Sequence, residues 1–294
     1  MRVSSPASLR RSRGGGEEPD DLVAKASRPQ TPRGGRAWVA ASWRLLGSRG
    51  AIVVTSTLLF FLLWQLAVWL LRSPYLPGPA EVARALVEAL TKRDFIGFTM
   101  EEHIRSSLTR ILYGYALAAV VAVPLGLAAG WVRPLETFLA PWVEMARPIP
   151  PLAWIPFAIV FFGSPLDAVF IVFLASFFPI FLNTLTGVKS VEPMLLDAAR
   201  TLGARRTFLF TRVIVPGAFG HISAGLRLGL GYAWMSIVAA EILGVKGGGL
   251  GIYLWTMHEV GRFDAVFAGM VIIGVLGLLL TRGVSFWRIE GSSH

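Results

Sequence analysis

The chain has 294 residues, 54% hydrophobic and 16% charged, with no cysteine, and its mean hydropathy is +0.61. Soluble domains rarely reach that hydropathy, so a membrane protein is expected, and disulfides and thiolate metal sites are excluded. The net charge of +10 is spread over many loops instead of forming one basic stripe, which speaks for membrane topology and against a nucleic-acid partner.

Residues 1–49 are rich in Arg, Gly, Pro and Ser. Such a segment buries too little apolar surface to offset its ordering entropy, so it is expected to be a disordered basic tail to about Trp38. Arg44 and Arg49 precede the first apolar run, Ala51–Leu71. About 20 residues suffice to cross a bilayer core of ~30 Å. The run is too long for a signal-peptide core and no cleavage site follows it, so it reads as an uncleaved span. Pro74, Pro77, Gly78 and Pro79 come next, then an amphipathic stretch to about Arg105. Further apolar runs cover about Ile111–Trp131, Leu135–Phe162, Leu166–Val188, Ala218–Leu243 and Phe263–Phe286.

The Leu135–Phe162 run contains Pro141, Pro148, Pro150, Pro151 and Pro156. It is either one kinked span or a span with a broken, re-entrant portion, and counting it once gives six spans. Prolines free carbonyls that are tolerated at depth only where protein or a water-lined cavity covers them. A pathway lining and a structural kink both satisfy that condition. There is no inverted repeat of the sort secondary transporters often show.

Between the runs ending at Val188 and starting at Ala218 lies a polar island. Pro193 suits a first helical position, where its missing N–H costs nothing, and Gly203 suits a left-handed helix end. Leu195, Ala199 and Leu202 form one apolar stripe at helical spacing, with Asp197 and Arg200 on another face. The expected product is a short amphipathic helix, a sharp turn and a second apolar helix, either docking a partner or forming a structured loop without one. With the N-terminus in the cytoplasm, six spans place the C-terminus and this island there too. Lys189, Arg200, Arg205, Arg206 and Arg212 of the loop agree with that side.

Charges at membrane depth are functional candidates: Arg110, Glu144, Arg147, Arg227 and Glu241. Arg147 has three readings: it pairs with Glu144 one helical turn away, it faces the pathway and suits an anion, or it snorkels to an interface. Gly126-x-x-x-Gly130 and Gly225-x-x-x-Gly229 permit close helix approach and read as packing within the subunit. The cluster Lys246-Gly247-Gly248-Gly249-Leu250-Gly251 lacks the Lys-Ser/Thr of a phosphate-binding loop. It reads as a turn or a flexible outer loop, so ATP hydrolysis by this chain is not expected. His103, His221, His258 and His294 have no ligand-like spacing, and no catalytic constellation stands out.

Asp197-Ala198-Ala199, three residues, Gly203, nine residues and Val213-Ile214-Val215-Pro216 resemble the "EAA" loop of ABC importer permeases. That motif is written E-A-A-x-x-x-G, nine residues, I-x-L-P. The runs Arg147–Pro156, Phe178–Thr184 and Ala233–Glu241 look like the sulfonate/taurine/nitrate branch. The resemblance covers about residues 50–290. It implies an all-α membrane protein of type I importer architecture, in a bacterial cytoplasmic (inner) membrane, with 189–216 as the cytoplasmic coupling loop. Asp197, Ala198, Ala199, Arg200, Gly203 and Pro216 are the implied ATPase-coupling residues. Arg147, Pro150, Pro151, Trp154, Asn183 and Glu241 are the substrate-pathway candidates. The implied partners are two ATPase subunits, which bind the ATP and Mg, an extracytoplasmic binding protein, a second copy of the chain, and membrane lipid. The implied cargo is a small anionic solute such as a sulfonate, taurine or nitrate. The alternative is an ion-coupled secondary transporter or channel in which Glu241 or Arg147 carries coupling or selectivity.

Overall fold

A computed structural model describes residues 49–244 and 247–285, and every element among them is helical. The tail expected to be disordered, and Lys246 of the glycine cluster, lie outside the described residues. The chain separates into two units, Met1–Leu62 and Leu63–His294. The described part of the first is the opening of α1 (Arg49–Leu71), apolar from Ala51 to Leu62 apart from three hydroxyl side chains. The second holds the end of α1 and all the later helices.

The amphipathic stretch after α1 is two elements. Pro79 opens α2 (Pro79–Thr91), and the Glu81 carboxylate reaches back to accept from the Gly78 N–H at 2.9 Å. Val82, Ala85 and Ala89 recur at helical spacing and are the buried face. The loop to α3 closes on Asp94, whose carboxylate accepts from the Ile96 and Phe98 N–H groups. Thr99 and Glu102 then form a reciprocal capping box that starts α3 (Met100–Trp131), eleven residues before the apolar run suggested.

The core is built on α6 (Leu166–Lys189), which lies between α3 and α9 (Val215–Leu243). Both Gly-x-x-x-Gly pairs serve this packing. A Cβ on Gly126 would stand 2.9 Å from the Phe181 carbonyl, and one on Gly225 would stand 2.8 Å from the Asn183 Cβ. Contacts at the two ends of α3 and α6 fix their direction. Gly114 approaches Val169 and Val172, while Gly130 approaches Val188, so α3 and α6 run parallel. Gly187 approaches Ala218 and Gly229 approaches Ser176, so α9 runs antiparallel to α6.

Two parallel helices in sequence require the chain between them to cross back. Among the described residues, five helices are long and apolar enough to span a membrane: Gly50–Leu71, Met100–Trp131, Leu166–Lys189, Arg206–Leu243 and Phe263–Gly283. The segment 133–161 makes the return crossing in pieces. They are α4 (Arg133–Ala146), a 3₁₀ turn (Pro151–Trp154) and α5 (Ile155–Phe161). The 14 residues of α4 and 7 of α5 extend roughly 21 and 10 Å at 1.5 Å per residue, so neither alone covers ~30 Å. The single span counted over Leu135–Phe162 is therefore the broken alternative. Pro148, Pro150 and Pro151 supply no N–H where a continuous helix would need three. The remaining elements are α10 (Leu250–Glu259) and α11 (Phe263–Ser285), which packs against α2.

Candidate functional site

At the end of the bundle where α3 and α6 finish, the polar island forms α7 (Pro193–Thr201). Pro193 stands in its first turn, and Gly203, at φ +81°, ends it. The Ala204 N–H donates to the Ala199 carbonyl and the Gly203 N–H to the Arg200 carbonyl, at 3.0 and 2.9 Å. This paired closure is the left-handed glycine stop that the sequence implied. Asp197 and Arg200 form an exposed ion pair at 2.9 Å. No residue of α7 is buried. Met194, Leu195 and Leu202 point apolar side chains outward, Leu202 being 88% exposed. Leu196, on the opposite side, packs with Val188, Ile214, Ala218 and Ile222 and anchors the helix to the bundle.

Beyond Gly203 the chain re-enters a helix, α8 (Arg206–Leu209), and continues without interruption through a π-turn (Phe210–Ile214) into α9. Pro216 has no N–H for the preceding turn, and the π-turn absorbs that mismatch. The Arg206 guanidinium lies 5.5 Å from the Trp131 ring centroid, and Trp131 meets Phe210. Lys189 pairs with Glu136 of α4. A concave surface of about 470 Å³ lies between Leu202, Gly203, Ala204 and Phe208. The loop is thus a stiff knob with an open apolar face, braced on α3, α4 and α6.

At the opposite end, Glu241 has a fully buried side chain and contacts no open space. Arg110 donates to its carboxylate at 2.7 Å, the Gly251 N–H at 2.9 Å and the Ser107 hydroxyl at 2.8 Å. Arg110 also holds the Gly248 carbonyl, and Ser107 accepts from the Leu250 N–H. His103, one turn earlier, accepts through Nδ1 from the Gly249 N–H, so its ring hydrogen sits on Nε2, 2.9 Å from Asp94. His103, Ser107 and Arg110 occupy one face of α3 and pin the glycine cluster backbone atom by backbone atom. A Cβ on Gly249 would stand 2.5 Å from the Glu241 carboxyl carbon, so residues 248–251 are a close-packed turn. Nearby, Arg262 joins Glu88 of α2 to Asp264 of α11 at 2.9 Å each. The hydrogen bonds from Arg262 and then Lys92 hold the Glu88 carboxyl below the usual carboxylate range. Burial pushes the Tyr253 phenol up to about 12.

The other pathway candidates separate by position. Arg147 caps α4, and it, Glu144 and Pro150 are exposed at the break in the crossing. Pro151 and Trp154 are half-buried in the 3₁₀ turn, Trp154 against Ile155, Ala158, Ile171 and Ala240. Asn183 is turned inward, its amide donating to the Pro179 carbonyl at 2.8 Å beside Gly225.

The family described as binding-protein-dependent transport system inner membrane component matches residues 122–287. The chain belongs to that family. A putative ABC transporter permease protein of Methanocaldococcus jannaschii is 38% identical over 226 residues, 76% of this chain and 84% of that protein. The taurine transport system permease protein TauC of Escherichia coli (strain K12) is 35% identical over 246 residues, 82% of this chain and 89% of that protein. Among solved structures, the inward-facing MetNI methionine ABC transporter matches at a TM-score of 0.55 and 19% identity, over 63% of this chain and 92% of that chain. The fold is that of a type I ABC importer permease.

The α7 loop of the permease is readable in the sequence because its signals are local. Its polar cluster is not: Arg110 and Glu241 stand out as charges, but as unrelated ones, and neither His103 nor Ser107 stands out as their partner. The 103/107/110 spacing on one helix face is the signal available. Among the described residues, no group of three or more His, Asp or Glu is arranged to hold a metal ion.

Proposed function

We propose that this ABC importer permease works as a pair of identical chains. It imports a small anionic solute delivered by an extracytoplasmic binding protein, with ATP and Mg bound on two separate ATPase subunits and no catalysis by the permease itself. The observation that carries the proposal is α7, a helix with no buried residue and an outward apolar face, joined through the Gly203 turn to a helix that runs unbroken from Arg206 through α9. Burying Met194, Leu195 and Leu202 in a partner cleft is favourable by roughly 25 cal/mol per Å², and the Asp197–Arg200 pair fixes register. Asp197, Ala198, Ala199, Arg200, Gly203 and Pro216 are the coupling residues in this reading. Residues 50–290 are the transport domain, with 189–216 and both termini in the cytoplasm and the basic tail, 1–49, preceding the first span.

Closure of the ATPase pair moves α7, and α9 conveys that motion across the membrane. The broken crossing, with Arg147, Pro150, Pro151 and Trp154, is the part of the pathway it acts on. The taurine in the name of TauC and the exposed Arg147 both favour an anion, a sulfonate being the nearest example. Uptake into vesicles carrying permease, ATPase and binding protein tests this directly. Uptake should require ATP and the binding protein. Uptake that persists without ATP and collapses with the ion gradient would overturn it in favour of a secondary transporter. Asp197→Lys should release the ATPase subunits from the purified complex.

A further inference from the structure

Arg227 is a charge on a long helix that the observed packing leaves unexplained. Its helix passes α6 with Gly225 against Asn183 and Ile180 and with Gly229 against Ile180 and Ser176. Arg227 therefore lies level with the middle of α6 (Leu166–Lys189), near the centre of the bilayer. It points away from α6 and is exposed. Among the described residues, the other charged side chains of the five long helices sit near helix ends or, like Arg110 and Glu241, are buried as a pair.

An arginine does not lose its proton in a protein, and a permanent cation at mid-depth does not face lipid tails without heavy cost. Its exposed face must meet water or another polar surface. The neighbours on that face are small. Gly220, Ala224 and Gly231 fall on the same stripe of α9 at helical spacing. A Cβ at Gly220 or Gly231 would meet no atom within 4 Å. The stripe is an open strip of small residues with one cation at its centre, on the helix that follows the α7 loop.

We propose that Arg227 lines the substrate pathway and selects for anions at the membrane midplane. This deepens the importer reading and rests on it. Motion of α7 carries Arg227 with it, so the cation meets the anion at the depth where access switches sides. The guanidinium plane suits a sulfonate or carboxylate, which it holds through two parallel N–H donors.

The test uses the absence of cysteine in the chain. In the full complex with its ATPase subunits in membrane vesicles, Gly231→Cys places one thiol a helical turn from Arg227. Its labelling is then timed with an anionic sulfonatoethyl thiosulfonate and with a cationic trimethylammonium analogue. The anionic reagent should react faster by about tenfold, the scale of one charge at this distance in a partly aqueous path. Adding Arg227→Gln should bring the ratio near unity, and Arg227→Lys should retain most of it. No labelling by either reagent would overturn the proposal, because the stripe would then be covered by lipid or a second copy. A ratio unchanged by Arg227→Gln would overturn it too. Labelling repeated after trapping with ATP and vanadate reads the importer mechanism separately. A charge preference present but indifferent to trapping would sink the ATP-driven reading, on which the pathway role depends.

Discussion

Two glycines show how a single atom decides the local structure, in opposite ways. Gly203 has nothing within 4 Å of a would-be Cβ, but its φ of +81° is costly for any other residue. Gly203→Ala should therefore cost about 1–2 kcal/mol in the local stability of the α7 turn. The melting temperature of the purified permease should barely move, while ATPase co-purification weakens. Gly249 is the reverse, since its Cβ would strike the Glu241 carboxylate. Gly249→Ala should destabilise the whole helix bundle by about 1–3 kcal/mol, read as a lower melting temperature in detergent. Glu241→Gln should be worse, about 3–5 kcal/mol, because it strands Arg110 as a buried charge. The first glycine was legible because a helix stop depends on neighbours in sequence. The second was not, because Arg110 and Glu241 lie 131 residues apart and no local pattern joins them.

Among the elements, long uniform helices were read nearly to the residue and composite ones were not. Leu166–Lys189 and Phe263–Ser285 match their apolar runs. The segment 133–161 is less apolar, carrying Arg133, Glu136, Glu144 and Arg147, and its prolines divide it, so only the parallel packing of α3 and α6 reveals that it still crosses. The α2 helix was read only as part of one amphipathic stretch and α10 was missed, because short half-apolar helices take their shape from the surface they pack on. The α2–α11 contact gives a pH prediction. Glu88 is held below its ordinary pKa by Arg262. A depressed carboxylate contributes stability above its unfolded pKa of about 4.3 and loses it as pH falls through the folded value. Wild type should therefore melt slightly above Glu88→Gln at neutral pH, and the difference should close below about pH 4.

At the scale of the whole molecule, orientation is the property on which the mechanism turns. The two ends of the bundle carry similar numbers of described basic residues: Arg133, Lys189, Arg200, Arg205, Arg206, Arg212 and Arg282 at one, and Arg72, Arg84, Lys92, Arg93, Arg105 and Arg262 at the other. The positive-inside bias thus comes from the residues before Ala51, and the described loops add little to it. Function supplies the stronger constraint. In the proposed mechanism ATP acts from the cytoplasm, which puts the face offering α7 on that side and turns the Asp94 loop toward the binding protein. Because the chain has no cysteine, one thiol at each end decides the matter. Leu202 and Ile96 are exposed at 88% and 45%, so Leu202→Cys and Ile96→Cys should fold normally and label readily. A membrane-impermeant maleimide added to intact cells or spheroplasts should modify Ile96→Cys and spare Leu202→Cys. In inverted vesicles the pattern should reverse, and bound ATPase subunits should shield Leu202→Cys there. The opposite labelling would leave α7 facing away from ATP and end the coupling-helix mechanism, whatever the solute carried.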